Sequence, residues 1–111
     1  MTFTVNGNTW KIQYEKPNSE KLLRSDGTLT LAVCDNSCKT IFINKNMHGY
    51  MFDKILCHEL THVYAFEFEY NVDVETEEII ADFLSLFGRQ IVYLLDDLME
   101  ILKRAIWCPL T

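Results

Sequence analysis

Glycine is scarce in this chain, four residues in 111, and no glycine-rich loop able to cradle a phosphate is present. Internal repeats and low-complexity tracts are missing as well. No run of about 18 apolar residues reads as a membrane span. The richest stretch, residues 79–95, is interrupted by Asp82 and Arg89 and reads as a buried helix. The start, Met-Thr-Phe-Thr, lacks a basic segment followed by an apolar core, so no secretory signal is expected and a cytoplasmic location follows. Basic residues are outnumbered, 10 Lys and Arg against 16 Asp and Glu, for a formal net charge of −6. Nonspecific affinity for nucleic acid comes from cations that neutralise phosphates, so nucleic acid is not an expected direct partner. Four cysteines, Cys34, Cys38, Cys57 and Cys108, suffice in number for two disulfides or a structural metal site. A reducing cytosol favours free thiols, and Cys34 and Cys38 lack a matching second pair. At 49% apolar content, residues 1–111 form one domain. A chain of this size buries somewhat over about 60% of its unfolded surface.

Histidine is rarer still, and its placement is the most informative feature. Two of the three histidines fall in residues 58–62, HELTH, a His-Glu-x-x-His pentad. On a helix, positions four apart lie about 40° apart around the axis, so His58 and His62 present two imidazoles on one face. That arrangement is bidentate toward zinc. Glu59 stands on the flank of the same face, where a carboxylate can take a proton from water at the metal. Met51, Phe52, Ile55, Leu56, Leu60, Val63 and Tyr64 repeat with helical period around the pentad, which supplies the helical context. His48, beside Gly49, reads as a loop histidine at the turn into this helix rather than a ligand.

A catalytic zinc keeps three protein ligands and one open position, so a third ligand must come from elsewhere. Ala65 and Phe68 stand where a metzincin would have Gly and a third His or Asp, which excludes that pattern. In residues 77–83, EEIIADF, Glu78 and Asp82 share one helical face. One carboxylate would bind metal while the other holds a ligand. An unbroken helix would put Glu78 about 24 Å from His62, far beyond a zinc–oxygen bond of about 2 Å. The chain must therefore turn, and the first helix is expected to end soon after His62. Residues 66–70 alternate apolar and acidic like an extended segment, and Asn71, Asp73 and Thr76 supply a stop and new caps. Glu67, Glu69, Glu75 and Glu77 are rival ligands by type, but read first as a solvated acidic face. Glu78 alone has Asp82 one turn on.

HELTH followed sixteen residues after His62 by Glu78-Ile79-Ile80-Ala81-Asp82 resembles the gluzincin zinc peptidases. The run EEIIADFLSLF is most similar to the ImmA/IrrE-type metallopeptidases of bacteria, phages and mobile elements, and to the very short minigluzincins. The resemblance covers residues 50–87 well. It implies Zn²⁺ held by His58, His62 and Glu78, Glu59 as general base, and Asp82 hydrogen-bonded to a ligand histidine. It also implies a minimal zincin-like α+β fold, in which a small antiparallel sheet precedes the active-site helix and a second, Glu-bearing helix. The activity implied is hydrolysis of a protein or peptide, for instance a repressor. Two departures stand out. Ser85-Leu86-Phe87-Gly88 takes the place of a Leu-Leu-Met-Pro-like segment, and no residue matches the His or Tyr that stabilises the tetrahedral intermediate in larger gluzincins; Tyr64, Tyr70 and Tyr93 are candidates by type alone. The alternative function is a non-catalytic, zinc-containing regulator or protein-binding module of the same fold.

Elsewhere, residues 3–5 and 10–14 flank Asn6-Gly7-Asn8 as a hairpin. Asn18-Ser19-Glu20 opens a short helix that Asp26-Gly27 breaks. Residues 29–34 and 40–44 read as strands, and in the family layout residues 40–44 would be the edge strand that pairs with an extended substrate. Ile91, Val92, Leu94, Leu95, Leu98, Ile101 and Leu102 form a helical stripe, read first as a helix packed over the core and second as a dimer or partner face. Trp107-Cys108-Pro109 is expected to end that helix.

Overall fold

The computed structural model describes residues 1–104. Strands β1 (Thr2–Val5), β2 (Asn8–Glu15), β3 (Ala32–Asp35) and β4 (Thr40–Asn44) precede helices α1 (Gly49–Glu67), α2 (Val74–Phe83) and α3 (Arg89–Leu102). A 3-10 turn, Glu20–Leu22, links the two halves of the sheet, and a π-helical segment, Leu84–Gly88, joins α2 to α3. The class is α+β. The expected end of α3 at Trp107, Cys108 and Pro109 lies outside the described residues, and no helix among those described is long and apolar enough to cross a membrane.

The first hairpin forms as its sequence dictates. Asn6 and Gly7 both take positive φ, 50° and 79°, the two-residue turn whose twist suits an antiparallel pair, and Asn8 is already paired with Val5. The second hairpin turns on Asp35, whose carboxylate accepts from the Ser37 amide at 2.9 Å and hydroxyl at 2.6 Å.

The sheet departs from expectation in two ways. Its order is β1-β2-β4-β3, and β4 runs parallel to β2, so the sheet is mixed rather than antiparallel. β4 is therefore an inner strand, and the edges are β1 and β3. The cause lies in Thr40-Ile41-Phe42-Ile43, buried at every position. A run apolar on both faces belongs where both faces are covered. Ile41 joins Trp10, Val5 and Val63 in the core beneath α1, while Lys21, in the 3-10 turn, lies over the Phe42 ring at 5.6 Å. The strand expected at residues 29–34 starts later, at Ala32, after an isolated bridge between Leu23 and Leu29.

Helix α1 begins through Gly49 at φ 61° and continues to Glu67, five residues past His62, rather than stopping soon after it. Of the extended segment expected over residues 66–70, Phe66 and Glu67 are helical and Phe68 and Glu69 form a turn. Tertiary contacts override the alternating pattern: Glu67 is buried and accepts from Trp10 Nε1 at 2.8 Å, Lys39 Nζ at 2.8 Å and the Asn8 amide. Lys39 also sits over the Trp10 ring at 5.2 Å. These contacts hold the pKa of Glu67 at about 2, with the Lys39 bond first among the causes, then Asn8 and Trp10. Glu67 is thus neither a ligand nor a solvated charge; it ties the last turn of α1 to the first strands.

Candidate metal centre

The chain reverses at Phe68–Tyr70. Glu69 takes φ 51°, the Tyr70 amide returns to the Ala65 carbonyl at 3.0 Å, and Asp73 caps α2 by accepting from the Thr76 amide at 2.7 Å. Helix α1 overshoots His62 by about 7.5 Å, and α2 recovers about 6 Å between Val74 and Glu78. Glu78 consequently stands level with the histidine pair.

Two rungs result. His62 Nδ1 meets Glu77 Oε2 at 2.6 Å, and His58 Nδ1 meets Asp82 Oδ1 at 3.0 Å. The earlier histidine faces the later acid, so α1 and α2 run antiparallel. Between the rungs, Glu78 spans the pair: Oε2 lies 3.0 Å from His58 Nε2 and Oε1 lies 3.0 Å from His62 Nε2. The imidazoles themselves meet edge to face with centroids 4.9 Å apart.

This arrangement can be tested for a cation by counting protons. Each ring has carboxylate oxygen at both nitrogens, yet a neutral imidazole carries a single N–H. One contact per ring then sets a lone pair against a lone pair unless the ring takes a second proton or a cation stands between. Two extra protons would charge both rings. One divalent ion at the Nε2 side satisfies both with neutral rings whose Nδ1–H donates to Glu77 and Asp82. One donor atom from each of His58, His62 and Glu78 lies within 4.8 Å of the others. A tetrahedral zinc with bonds of about 2.0–2.1 Å wants ligand atoms about 3.3–3.4 Å apart, so small side-chain adjustments suffice. Two imidazoles and a carboxylate are a set that zinc accepts. Among the described residues no other group of this kind occurs.

Burial is graded across the centre. His62 and Glu59 are buried at 9% and 8% exposure, whereas the side chains of Glu78 and Asp82 are 48% and 67% exposed. The centre is therefore backed by protein and open on the α2 side. Burial pushes the Glu59 carboxyl up from its ordinary value, and Glu78 adds to this, while His62 and His58 act in the opposite sense. An open cleft of about 1250 Å³ holds these groups, with Leu31 and, from the β3 edge, Ala32, Val33 and Cys34 along one wall. Arg24 and Lys54 are the cations in its lining, and Tyr70 also lines it while Tyr64 and Tyr93 do not.

Each residue singled out in the sequence has a place. His58, Glu59, His62, Glu78 and Asp82 come together. His48 does not join them; its Nδ1 lies 3.0 Å from the Asn46 carbonyl oxygen. Glu77 is the residue that sequence reasoning set aside as solvated: its side chain is only 19% exposed, beside the apolar hollow lined by Val72 and Ile80. The signal was its position fifteen after His62 and next to Glu78, which allows one short helix to serve both rings. Cys34, Cys38 and Cys57 are free thiols, and burial raises the pKa of Cys34 and Cys57, so neither is activated. Cys108 lies outside the described residues. Compared with protein-family models, curated proteins and solved structures, the chain matches none of them.

Proposed function

We propose that this chain is a zinc-dependent peptidase of gluzincin type, with a zincin-like fold, acting on a protein or peptide. One observation carries the reading: two imidazoles, each held from behind by its own carboxylate, converge on Glu78 beside a buried Glu59 in an open cleft. His58, His62 and Glu78 would hold the ion, with Asp82 and Glu77 fixing the tautomer and orientation of each ring. Zinc at such a site acts as a Lewis acid toward a carbonyl and makes water more acidic. The chain's own groups do the remaining work. Glu59, desolvated and made more basic than an exposed carboxylate, takes the proton of the attacking water and passes it to the leaving amine.

The substrate would lie along β3 rather than along the strand first expected. Among the described residues β3 has a strand neighbour on one side only. The Asn44 amide donates to the Leu31 carbonyl at 2.9 Å, and pairing alternates from there, so the backbone groups of Ala32 and Cys34 face the open edge above the cleft. An extended peptide paired there gains backbone hydrogen bonds with little side-chain selection, which suits a protein substrate such as a repressor. Arg24, one of the two cations in the cleft wall and the one whose charge acts on the Glu59 carboxyl, would be available to a developing oxyanion.

The test compares the wild type with Glu59→Gln on unfolded and repressor-like proteins, with metal content measured in parallel. The expected result is retention of one metal ion and a loss of cleavage of about 10²-fold or more. Equal cleavage by both would remove Glu59 from the mechanism.

A further inference from the structure

The floor of the cleft is one row of α1. Lys54, His58, His62 and Phe66 stand four apart, so their side chains share a face, and all four line the cleft. At 1.5 Å per residue the row is about 18 Å long, with the histidine pair at its middle and Lys54 and Phe66 about 9 Å to either side. Because α2 runs antiparallel to α1, Val74 comes beside the Phe66 end, and Asp82 and Ser85 beside the Lys54 end. The β3 wall runs the same way as α1. Its last residue, Asp35, leads into the turn from which Lys39 reaches Glu67 in the last turn of α1. Leu31, just before β3, therefore lies toward the first half of α1. Arg24 is tied to that side: its amide donates to the Thr28 carbonyl at 2.8 Å and its guanidinium to the Thr30 hydroxyl at 3.3 Å.

The two ends of the cleft differ in chemistry. Phe66, Tyr70, Val72 and Val74, 36–78% exposed, make one end apolar, and Glu69 gives it a negative charge. Lys54 and Arg24 make the other end cationic. Although the chain carries a net charge of −6, half-buried Lys54 makes no ion pair among the described residues. The acids beside it are engaged elsewhere, Asp53 with Arg89 at 2.7 Å and Asp82 with His58 at 3.0 Å. An ammonium left without a carboxylate inside a cleft is free to take one from a ligand.

Resting on the peptidase reading above and deepening it, we propose that Lys54 is a specificity-determining residue. It takes a substrate carboxylate about two or three residues C-terminal to the scissile bond, while an apolar side chain on the N-terminal side fills the Phe66 end. Spacing sets the position, because an extended peptide advances about 3.3 Å per residue and Lys54 stands about 9 Å from the middle of the row. Direction follows from pairing: an antiparallel partner of β3 is more stable than a parallel one, and it places the N-terminal part of the peptide at the Asp35 end, beside Phe66 and Tyr70. Arg24, on the facing wall, adds to the positive potential around Lys54, and Glu69 repels an acid from the opposite end. The carboxylate comes from an Asp or Glu side chain or from the peptide's own C-terminus, which present the same group to the ammonium.

Binding and cleavage are read separately. The full Glu59→Gln chain, dialysed against zinc, is titrated at low salt with fluorescent decapeptides that carry Phe in the N-terminal half and Glu or Gln in the C-terminal half, each with a free or an amidated end. The expected result is binding about three- to fivefold tighter for a peptide with a carboxylate than for its neutral counterpart. Adding Lys54→Gln should abolish the difference, Lys54→Glu should invert it and Lys54→Arg should keep it, all with unchanged metal content. A difference between Glu and Gln that survives amidation assigns the side chain as the source, and one between free and amidated ends assigns the C-terminus. Products of a degenerate peptide library cut by the wild type should show acids, or the peptide end, at the second or third residue after the cut. A preference in binding that depends on Lys54, with no cleavage by the wild type, would remove the peptidase reading and leave the carboxylate subsite standing. Binding of no peptide, equal affinity for all of them, or a preference indifferent to Lys54→Glu overturns the proposal. Acids enriched before the cut instead of after it overturn the direction.

Discussion

Truncating Glu77 to Ala should cost more metal affinity than truncating Asp82, although the sequence pattern singles out Asp82. Glu77 Oε2 stands 2.6 Å from His62 Nδ1 with its side chain 19% exposed, and Asp82 Oδ1 stands 3.0 Å from His58 Nδ1 with its side chain 67% exposed. The shorter, drier contact is the stronger, because water competes less for both partners. Loss of a carboxylate behind a ligand histidine costs about 10–100-fold in affinity, or about 1.4–2.7 kcal/mol. Glu77→Ala belongs near the upper end. Asp82→Ala, screened by solvent, belongs at or below the lower end. Competitive zinc titration against a chromogenic chelator at neutral pH measures both, with Glu75→Ala as control, since Glu75 is exposed on the same helix. The reversed order, or an effect of Glu75→Ala as large as that of Glu77→Ala, would refute the reasoning.

Two further outcomes follow from the structure. Because the pKa of Glu67 is depressed to about 2, its contribution to stability is complete above the ordinary carboxylate value of 4.5 and is lost as pH falls from there through about 2. Thermal melts of Glu67→Gln should therefore be lower than wild type near neutrality, and the gap should shrink across that acid window; a constant gap would contradict the assignment. Ala32→Pro removes an outward amide from the β3 edge without touching the ladder to β4. Peptide cleavage should suffer through a raised KM while zinc affinity stays within about twofold, and an unchanged KM would move the substrate off that edge.

Much of the centre was legible because helical spacing is local. His58, His62, Glu78 and Asp82 lie at separations of one turn within their helices, so each pair shares a face wherever the helices go. The hairpin at Asn6-Gly7 was legible for the same reason, its turn residues fixing the backbone. Sheet order was not legible, since nothing in Thr40 to Asn44 says which strands flank it, and only the burial of both faces distinguishes an inner strand from an edge. Glu67 and Glu77 escaped because a carboxylate's role depends on what faces it: Trp10, Asn8 and Lys39 are distant in sequence from Glu67, as His62 is from Glu77. The stripe on α3 was visible as a stripe, yet periodicity reports that a face is apolar and not what covers it.

The central claim, one divalent ion shared by His58, His62 and Glu78, is tested most directly by metal content per chain after equilibrium dialysis against zinc. Wild type and Glu59→Gln should each retain one ion. His62→Ala and Glu78→Ala should each lose it under the same conditions. A wild-type chain that emerges free of metal, or a Glu78→Ala chain that keeps its ion as tightly as wild type, would contradict the account.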